Sequence, residues 1–309
     1  MFILAREEAT AYSALLNYLP PPVRSLTMTL DACSLEEIRL RKEKPLTVCM
    51  SDGNYVVDRM GKVNKHTTKP YIVTKTDITT ALEIISRGSL YSLENEIKQG
   101  FITIAGGHRI GIVGKAVIKD SQISYIKDIS GLNYRFAKQI LGVADCIIDR
   151  LICDNSLKNT LIVSPPQCGK TTLLRDIARQ LSCMDYKVSI IDERSEIAGV
   201  VDGVSSYDVG VNTDVFDSCP KATGMNLVLR SMSPQVLITD EIGTEADIEA
   251  IQTALSCGVA VIASIHAASR SDLLIKPRFT PLLALFERII TLSKRRGSGT
   301  IEEVYAGVD

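Results

Sequence analysis

The sequence predicts an α/β fold: a parallel-sheet domain over residues 143–309, preceded by a smaller α+β domain over residues 1–142. Three observations carry that expectation. Four apolar runs, Leu161–Val163, Val188–Ile191, Val236–Ile238 and Val259–Ser264, alternate with stretches of helical periodicity. Such runs mark strands buried on both faces by covering helices. Ahead of Gly142 the pattern is instead short strands broken by hairpin turns, as in an antiparallel sheet packed with helices. Finally, one apolar run leads straight into a loop bearing glycine and then a helical pattern, in Leu161–Leu174.

Composition sets the outer bounds. The chain has 309 residues, 45% hydrophobic and 23% charged, which suffices for two domains with cores of their own. The net charge of −1 provides no global field for nucleic acid or anionic lipid. Lys294-Arg295-Arg296 is the strongest local basic patch, and it reads as solvated surface. The eight cysteines include no Cys-x-x-Cys pair, and there are three histidines, so zinc spacing is absent. The stretch Met1–Glu8 has no basic lead before an apolar segment and is not expected to act as a secretory leader. No apolar run approaches the ~18 residues of a membrane span. The expectation is a cytoplasmic chain with reduced thiols, at a membrane only if recruited there.

The elements follow in order. Residues 8–19 place Ala9, Tyr12, Leu15, Leu16 and Leu19 on one helical face, which Pro20-Pro21-Pro22 should end. Leu35–Leu40 alternates, Pro45–Met50 reads as a strand, and Ser51–Asn54 turns it into Tyr55–Val57. Thr76-Asp77 should cap a helix through Ile85, and Leu90–Lys98 should form another. Strands follow at Phe101–Ile104, Arg109–Val113 and Lys115–Ile118 around Gly106-Gly107. The apolar run at residue 161 then opens the second domain's core.

The loop after that run is the centre of the functional expectation. Ser164, Pro165, Pro166, Gln167, Cys168, Gly169, Lys170, Thr171 and Thr172 lead into a helix carrying Leu173, Leu174, Ile177, Ala178 and Leu181. Strand, loop, Gly-Lys-Thr and helix is the context of a phosphate-binding loop. Backbone N–H groups at a helix start face an anion, and the helix dipole favours it. Gly169 lets the backbone pass close to phosphate oxygens. Lys170 suits the β- and γ-phosphates, and the Thr171 hydroxyl suits Mg²⁺. Ser164 stands where the full signature begins with Gly.

Further motifs surround it. Val236–Thr239 ends in Asp240-Glu241, placing carboxylates at the strand's C-terminal edge, where ligands of open α/β sheets sit. Asp240 is expected in the Mg²⁺ shell and Glu241 beside the attacking water; two acids capping the next helix are the alternative. Val188–Ile191 ends in Asp192-Glu193, with Glu196 three residues further, and these acids would orient water or metal, or simply cap a loop. His266, after the run Val261–Ile265, is a γ-phosphate sensor or a satisfied structural histidine. Arg230, ahead of the Asp-Glu strand, is a phosphate or subunit contact, or surface.

These motifs, in this order (IIDERSE, LRSMSP, LITDE, SIHA), resemble the type II and type IV secretion ATPases, a branch of the RecA-like P-loop fold. Longer segments, EIRLRKEKPL, ISRGSLYSLENEIKQGFITIAGGHRIGIVGKAV, IKDISGLNYRFAK and CPKATGMNLVLRSMSPQVLITDEIGTEADIEAI, resemble the stage III sporulation protein AA family. Asp240 departs from the Gly that secretion ATPases generally carry there. The resemblance implies an ATPase of endospore formers that works as a homo-oligomer, a hexamer with ATP between subunits. It implies a place in the mother-cell cytoplasm, peripheral to the outer forespore membrane. There the enzyme would energise a secretion-like channel and meet that channel's membrane proteins.

The expected reaction is therefore Mg²⁺-dependent ATP hydrolysis. Gly169, Lys170 and Thr171 position phosphate, Thr172 supports them, Asp240 serves metal, Glu241 or Glu193 serves water, and His266 senses the γ-phosphate. Arg109, Arg135 and Arg230 are the candidates for an arginine acting in trans. Two other readings stand beside it. One is a RecA-like nucleic-acid translocase, disfavoured by 5% aromatic residues, no Trp and no basic stripe. The other is a nucleotide-gated scaffold with little turnover, for which Ser164 leaves room. Cys168, inside the loop, is either a reactive thiol at a helix N-terminus or a small residue filling a tight turn.

Overall fold

The computed structural model describes residues 11–88, 94–119, 122–154, 156–275 and 279–306. The chain divides into two units between Lys138 and Gln139, a few residues ahead of Gly142, and each unit has its own core.

In the first unit, residues 11–16 are helical, with Tyr12, Leu15 and Leu19 buried. The expected helix before residue 11 lies outside the described residues. The triple proline ends this helix and also begins another that the sequence reading did not anticipate, α1 (Pro21–Thr27). Proline at a first helical position gives up an N–H that would be unpaired anyway, and its fixed φ suits the helix. Strands β1 (Leu35–Arg41), β2 (Thr47–Met50), β3 (Gly53–Val57) and β4 (Val63–Asn64) follow. Next come α2 (Lys75–Ile85) and α3 (Glu94–Gln99); the rest of the helix expected over Leu90–Lys98 lies outside the described residues. The cap of α2 is Thr74, two residues ahead of the expected Thr76, and it forms a complete capping box with Asp77.

Strands β5 (Phe101–Ile104), β6 (His108–Lys119) and β7 (Gln122–Arg135) complete an antiparallel sheet of order β4-β3-β2-β1-β7-β6-β5. The two short strands expected over 109–113 and 115–118 are one strand, β6. A register shift beside Gly114 links them, where a Cβ would lie 2.7 Å from the Lys127 carbonyl oxygen. Buried His108 ties the unit together. Its Nε2 donates to the Ala11 carbonyl (2.8 Å), and its Nδ1 accepts from the Ala137 N–H (3.0 Å). Burial pushes its pKa down to about 4.

The second unit is built on β8 (Thr160–Ser164), β9 (Val188–Asp192), β10 (Thr213–Asp217), β11 (Val236–Thr239), β12 (Ala260–His266), β13 (Arg288–Ser293) and β14 (Thr300–Ala306). They form one sheet of order β10-β9-β11-β12-β8-β13-β14, parallel except for the antiparallel pair β13/β14. The helices that cover it include α4 (Lys170–Cys183), α5 (Lys221–Ser231) and α6 (Glu245–Ser256).

The apolar runs are continuous because both faces are covered. Ile162, Ile190, Ile238, Ile262 and Ile290 join α4's Leu173, Leu174, Ile177, Ala178 and Leu181 in one core. Leu161, Val163, Leu237, Val261 and Ile289 join Met225 of α5 and Ile251 of α6 in the other. The parallel arrangement puts Ser164, Asp192, Thr239 and His266 at the same C-terminal edge of the sheet.

Candidate functional site

The loop from β8 to α4 turns sharply at the C-terminal edge of the sheet. Gln167 and Gly169 take positive φ, at 59° and 84°, which bends the chain back before α4 begins. Gly169 is the N-cap, with no side-chain acceptor for the first helical N–H groups. Thr244, ahead of α6, forms a full capping box instead. Uncapped donors at a 14-residue helix facing a sheet edge are groups that an anion can satisfy. The Thr171 and Thr172 hydroxyls, half-buried, make no hydrogen bond among the described residues. Cys168 is buried, 3% exposed, with its thiol directed to the Pro166 carbonyl (3.6 Å). It fills the turn and is shielded from solvent, the packing role rather than the reactive one.

Lys170 is 5% exposed, and its ammonium is held on several sides. It donates to Ser164 Oγ (3.2 Å), the Pro165 carbonyl (3.2 Å) and His266 Nδ1 (3.0 Å). Ser164, in the position of the signature's first glycine, is thus a ligand for the lysine. Burial pushes the Lys170 pKa down, against the attraction of nearby acids led by Glu241.

The other ring nitrogen of His266, Nε2, meets Glu241 Oε1 at 2.6 Å, and Arg194 donates to Glu241 Oε2 at 2.6 Å. The result is a line, Lys170–His266–Glu241–Arg194, across the sheet edge. Strand pairing builds it: Ser164 sits opposite His266 in the β8/β12 register. Ser264, two residues earlier on β12, accepts the Glu241 N–H (3.0 Å). Glu241 itself has φ 41°, a conformation a glutamate adopts only when its surroundings enforce it. Burial would raise the Glu241 pKa, but the His266 hydrogen bond and the Arg194 and Lys170 charges outweigh burial and hold it low.

Asp240 lies behind this line. It is 1% exposed, and among the described residues neither carboxylate oxygen has a hydrogen-bond partner. Burial foremost, then the charge of Asp192, pushes its pKa up to about 7. An orphaned buried carboxylate is costly, and it fits a position that a cation or its water shell would satisfy. Among the described residues no three His, Cys, Asp or Glu side chains cluster to cage a metal.

The other strand-end acids serve the chain itself. Asp192, fully buried, accepts from the N–H groups of Glu196 (2.8 Å), Ile197 (2.9 Å) and Ala198 (2.8 Å). It shapes the following loop, which is the capping alternative. Glu193 is paired with the buried Lys221 ammonium. The Glu196 carbonyl accepts from Arg175 (2.7 Å), whose guanidinium stacks on Tyr207 at 3.6 Å. Arg230 is exposed in the last turn of α5, six residues before β11 starts, so it sits toward the opposite edge of the sheet from Lys170. Arg109 and Arg135 belong to the first unit, opposite each other on β6 and β7; Arg109 lies 4.2 Å from the Phe101 ring.

Two participants escaped the sequence reading. Arg194 was legible only as a basic residue inside an acidic motif. The turn between β13 and β14 touches the phosphate loop, although its basic residues looked like ordinary surface.

The family model described as "Sporulation stage III, protein AA" matches residues 15–308. The chain belongs to the stage III sporulation protein AA family. It is 40% identical over 278 residues to Stage III sporulation protein AA of Bacillus subtilis (strain 168), covering 88% of this chain and 86% of the relative. An uncharacterized protein, ycf45, of Cyanidium caldarium is 31% identical over 180 residues, 56% of this family member and 52% of that protein. Among solved structures, the pilus retraction motor PilT with bound ADP superposes with a TM-score of 0.57 at 16% identity, covering 89% of this chain and 80% of that one. The Legionella pneumophila ATPase DotB gives 0.51 at 17% identity, with 83% and 72% covered. The family member shares the α/β fold of these solved ATPases.

Proposed function

We propose that this chain is a Mg²⁺-dependent ATP hydrolase with a RecA-like core. The observation that carries the reading is the hydrogen-bonded line Lys170–His266–Glu241 at the mouth of an uncapped helix, with unpartnered Asp240 behind it. The free N–H groups at the start of α4 and the Lys170 ammonium take the phosphate oxygens. To do so, Lys170 exchanges its contacts with Ser164, Pro165 and His266 for the ligand. His266 is then released to report the γ-phosphate to Glu241. Glu241, held ionised and fixed by Ser264 and Arg194, orients water. Thr171 and Asp240 would hold Mg²⁺, which supplies charge neutralisation to the phosphates. Phosphoryl transfer asks mainly for positioning and electrostatics, which these groups provide.

The same reading places the chain in a homo-oligomer, a hexamer, completed by an arginine of a neighbouring copy. Arg109, Arg135 and Arg230 are the candidates. The first unit serves assembly and partner contacts. The work performed is to energise a secretion-like channel between mother cell and forespore, from the mother-cell cytoplasm, docked on the channel's membrane proteins at the outer forespore membrane. Family membership supports this setting. No described helix is long and apolar enough to cross a membrane.

The test is steady-state phosphate release with Mg·ATP, for wild type and Lys170→Ala, on protein of known oligomeric state. Turnover that disappears in the variant is the expected result. Binding without turnover from an intact oligomer would favour the scaffold, a reading to which the Ser164–Lys170 contact lends support.

A further inference from the structure

We propose that the turn joining β13 to β14, residues 294–299, forms a wall of the nucleotide site, and that Lys294 and Arg296 contact the phosphate chain of a bound nucleoside di- or triphosphate. The proposal rests on the phosphate-loop reading and extends it to a segment outside the motifs.

Placement comes first. β13 runs parallel to β8, with Leu161 opposite Ile289 and Val163 opposite Thr291, so the turn emerges at the same sheet edge as the phosphate loop. Contact follows. The Gly299 N–H donates to the Cys168 carbonyl (3.0 Å), and Ser298 Oγ donates to the Gln167 carbonyl (3.4 Å). The approach is so close that a Cβ on Gly169 would lie 3.1 Å from Gly299 N and 3.3 Å from Ser298 Oγ. Gly297 and Gly299, at φ 114° and 86°, give the turn its shape.

Charge distinguishes the wall from a mere brace. Arg295 is committed to Glu302, with Nη2 2.9 Å from Oε2. Among the described residues, Lys294 Nζ reaches only a neutral acceptor, Gln167 Oε1 of the loop, at 3.4 Å. The Arg296 guanidinium, exposed, has no hydrogen bond or ion pair among the described residues, though its charge helps hold the Glu302 pKa low. Two cations therefore stand on a segment bonded to the phosphate loop without a carboxylate in contact. A polyphosphate is the anion that this loop would bring to them.

The experiment measures ADP affinity by titration calorimetry on the full chain, for wild type, Lys170→Ala, Arg296→Gln, Lys294→Gln/Arg296→Gln and Arg295→Gln. Inorganic pyrophosphate, competed against ADP, serves as a probe without base or ribose. Thermal melts without ligand verify that each variant folds. The double variant should bind both ADP and pyrophosphate about tenfold more weakly, and Arg296→Gln severalfold more weakly, as expected for lost charge-assisted contacts. Arg295→Gln, the same charge change in the same turn, should stay within about twofold of wild type, since that guanidinium already has its partner. Wild-type affinity in the double variant, with binding lost in Lys170→Ala, overturns the wall and leaves the phosphate-loop reading intact. A loss for ADP alone, or an equal loss in Arg295→Gln, also overturns it. No nucleotide binding by wild type, or none lost in Lys170→Ala, removes the phosphate-loop reading and the wall together.

Discussion

Asp240 is a buried acid whose environment opposes its charge. Its carboxyl is buried and unpartnered, and its pKa is pushed up to about 7. An acid with a folded pKa above its unfolded value of about 3.9 binds its proton more tightly when folded. Its stabilising contribution is full below pH ~4 and is lost as pH rises through about 7, a swing of up to about 4 kcal/mol. Asp240→Asn should therefore raise the melting temperature at pH 8 more than at pH 5, and should abolish phosphate release. Equal shifts at both pH values would show that the carboxyl is not the strained group. His108 works in the opposite sense. Burial lowers its pKa from about 6.5 to about 4. Its stabilisation is present above pH 6.5 and is lost as pH falls to 4, by about 3 kcal/mol. Denaturant melts between pH 7 and 4.5 should show a smaller slope in His108→Gln than in wild type.

Among the elements, α5 depends on a residue that helix propensity would discourage. Gly224 packs so closely on β9 that a Cβ would lie 2.7 Å from Ile191 Cγ2 and 3.2 Å from the Phe216 ring. Gly224→Ala gains about 1 kcal/mol of helix propensity but overpacks this contact, typically by 1–3 kcal/mol. A net fall in melting temperature is expected, and a rise would mean the interface yields freely. The legibility of the other elements follows from their burial. β8, β9 and β11 are buried at every position, so their apolar runs announced them. β10 alternates half-buried and exposed residues at the sheet edge, and its Thr213–Asp217 carried no comparable signal. β13 and β14 were unseen, and with them the origin of the turn at Lys294. The meeting of Lys170, Glu241 and His266 at one sheet edge was legible because each follows a buried strand of the same parallel sheet. Strand-end acids were harder to sort. Asp192 and Asp240 look alike in sequence, yet one accepts three backbone N–H groups and the other none. Only the path of the following loop separates them.

For the molecule as a whole, the two units have separate cores, and every nucleotide group assigned above, apart from the candidate trans arginines, belongs to the second. Calorimetric unfolding should resolve two transitions, of which Mg·ATP raises only that of residues 139–309. Ligand at a hundred times its dissociation constant adds about 2.7 kcal/mol to the unit that binds it. Lys170→Ala should erase that increment and leave both transitions otherwise in place. A nucleotide shift in both transitions would mean that the units unfold together.

The sheet of the second unit ends in β10 on one side and β14 on the other. Those outermost strands carry exposed Asp214 on β10 and exposed Glu302 and Glu303 on β14. Unpaired strand borders are templates for fusing molecules into ribbons, and like charge is what refuses the fusion. Joining two copies through these borders would set Asp214 or Glu303 against its own counterpart, which disfavours a continuous ribbon.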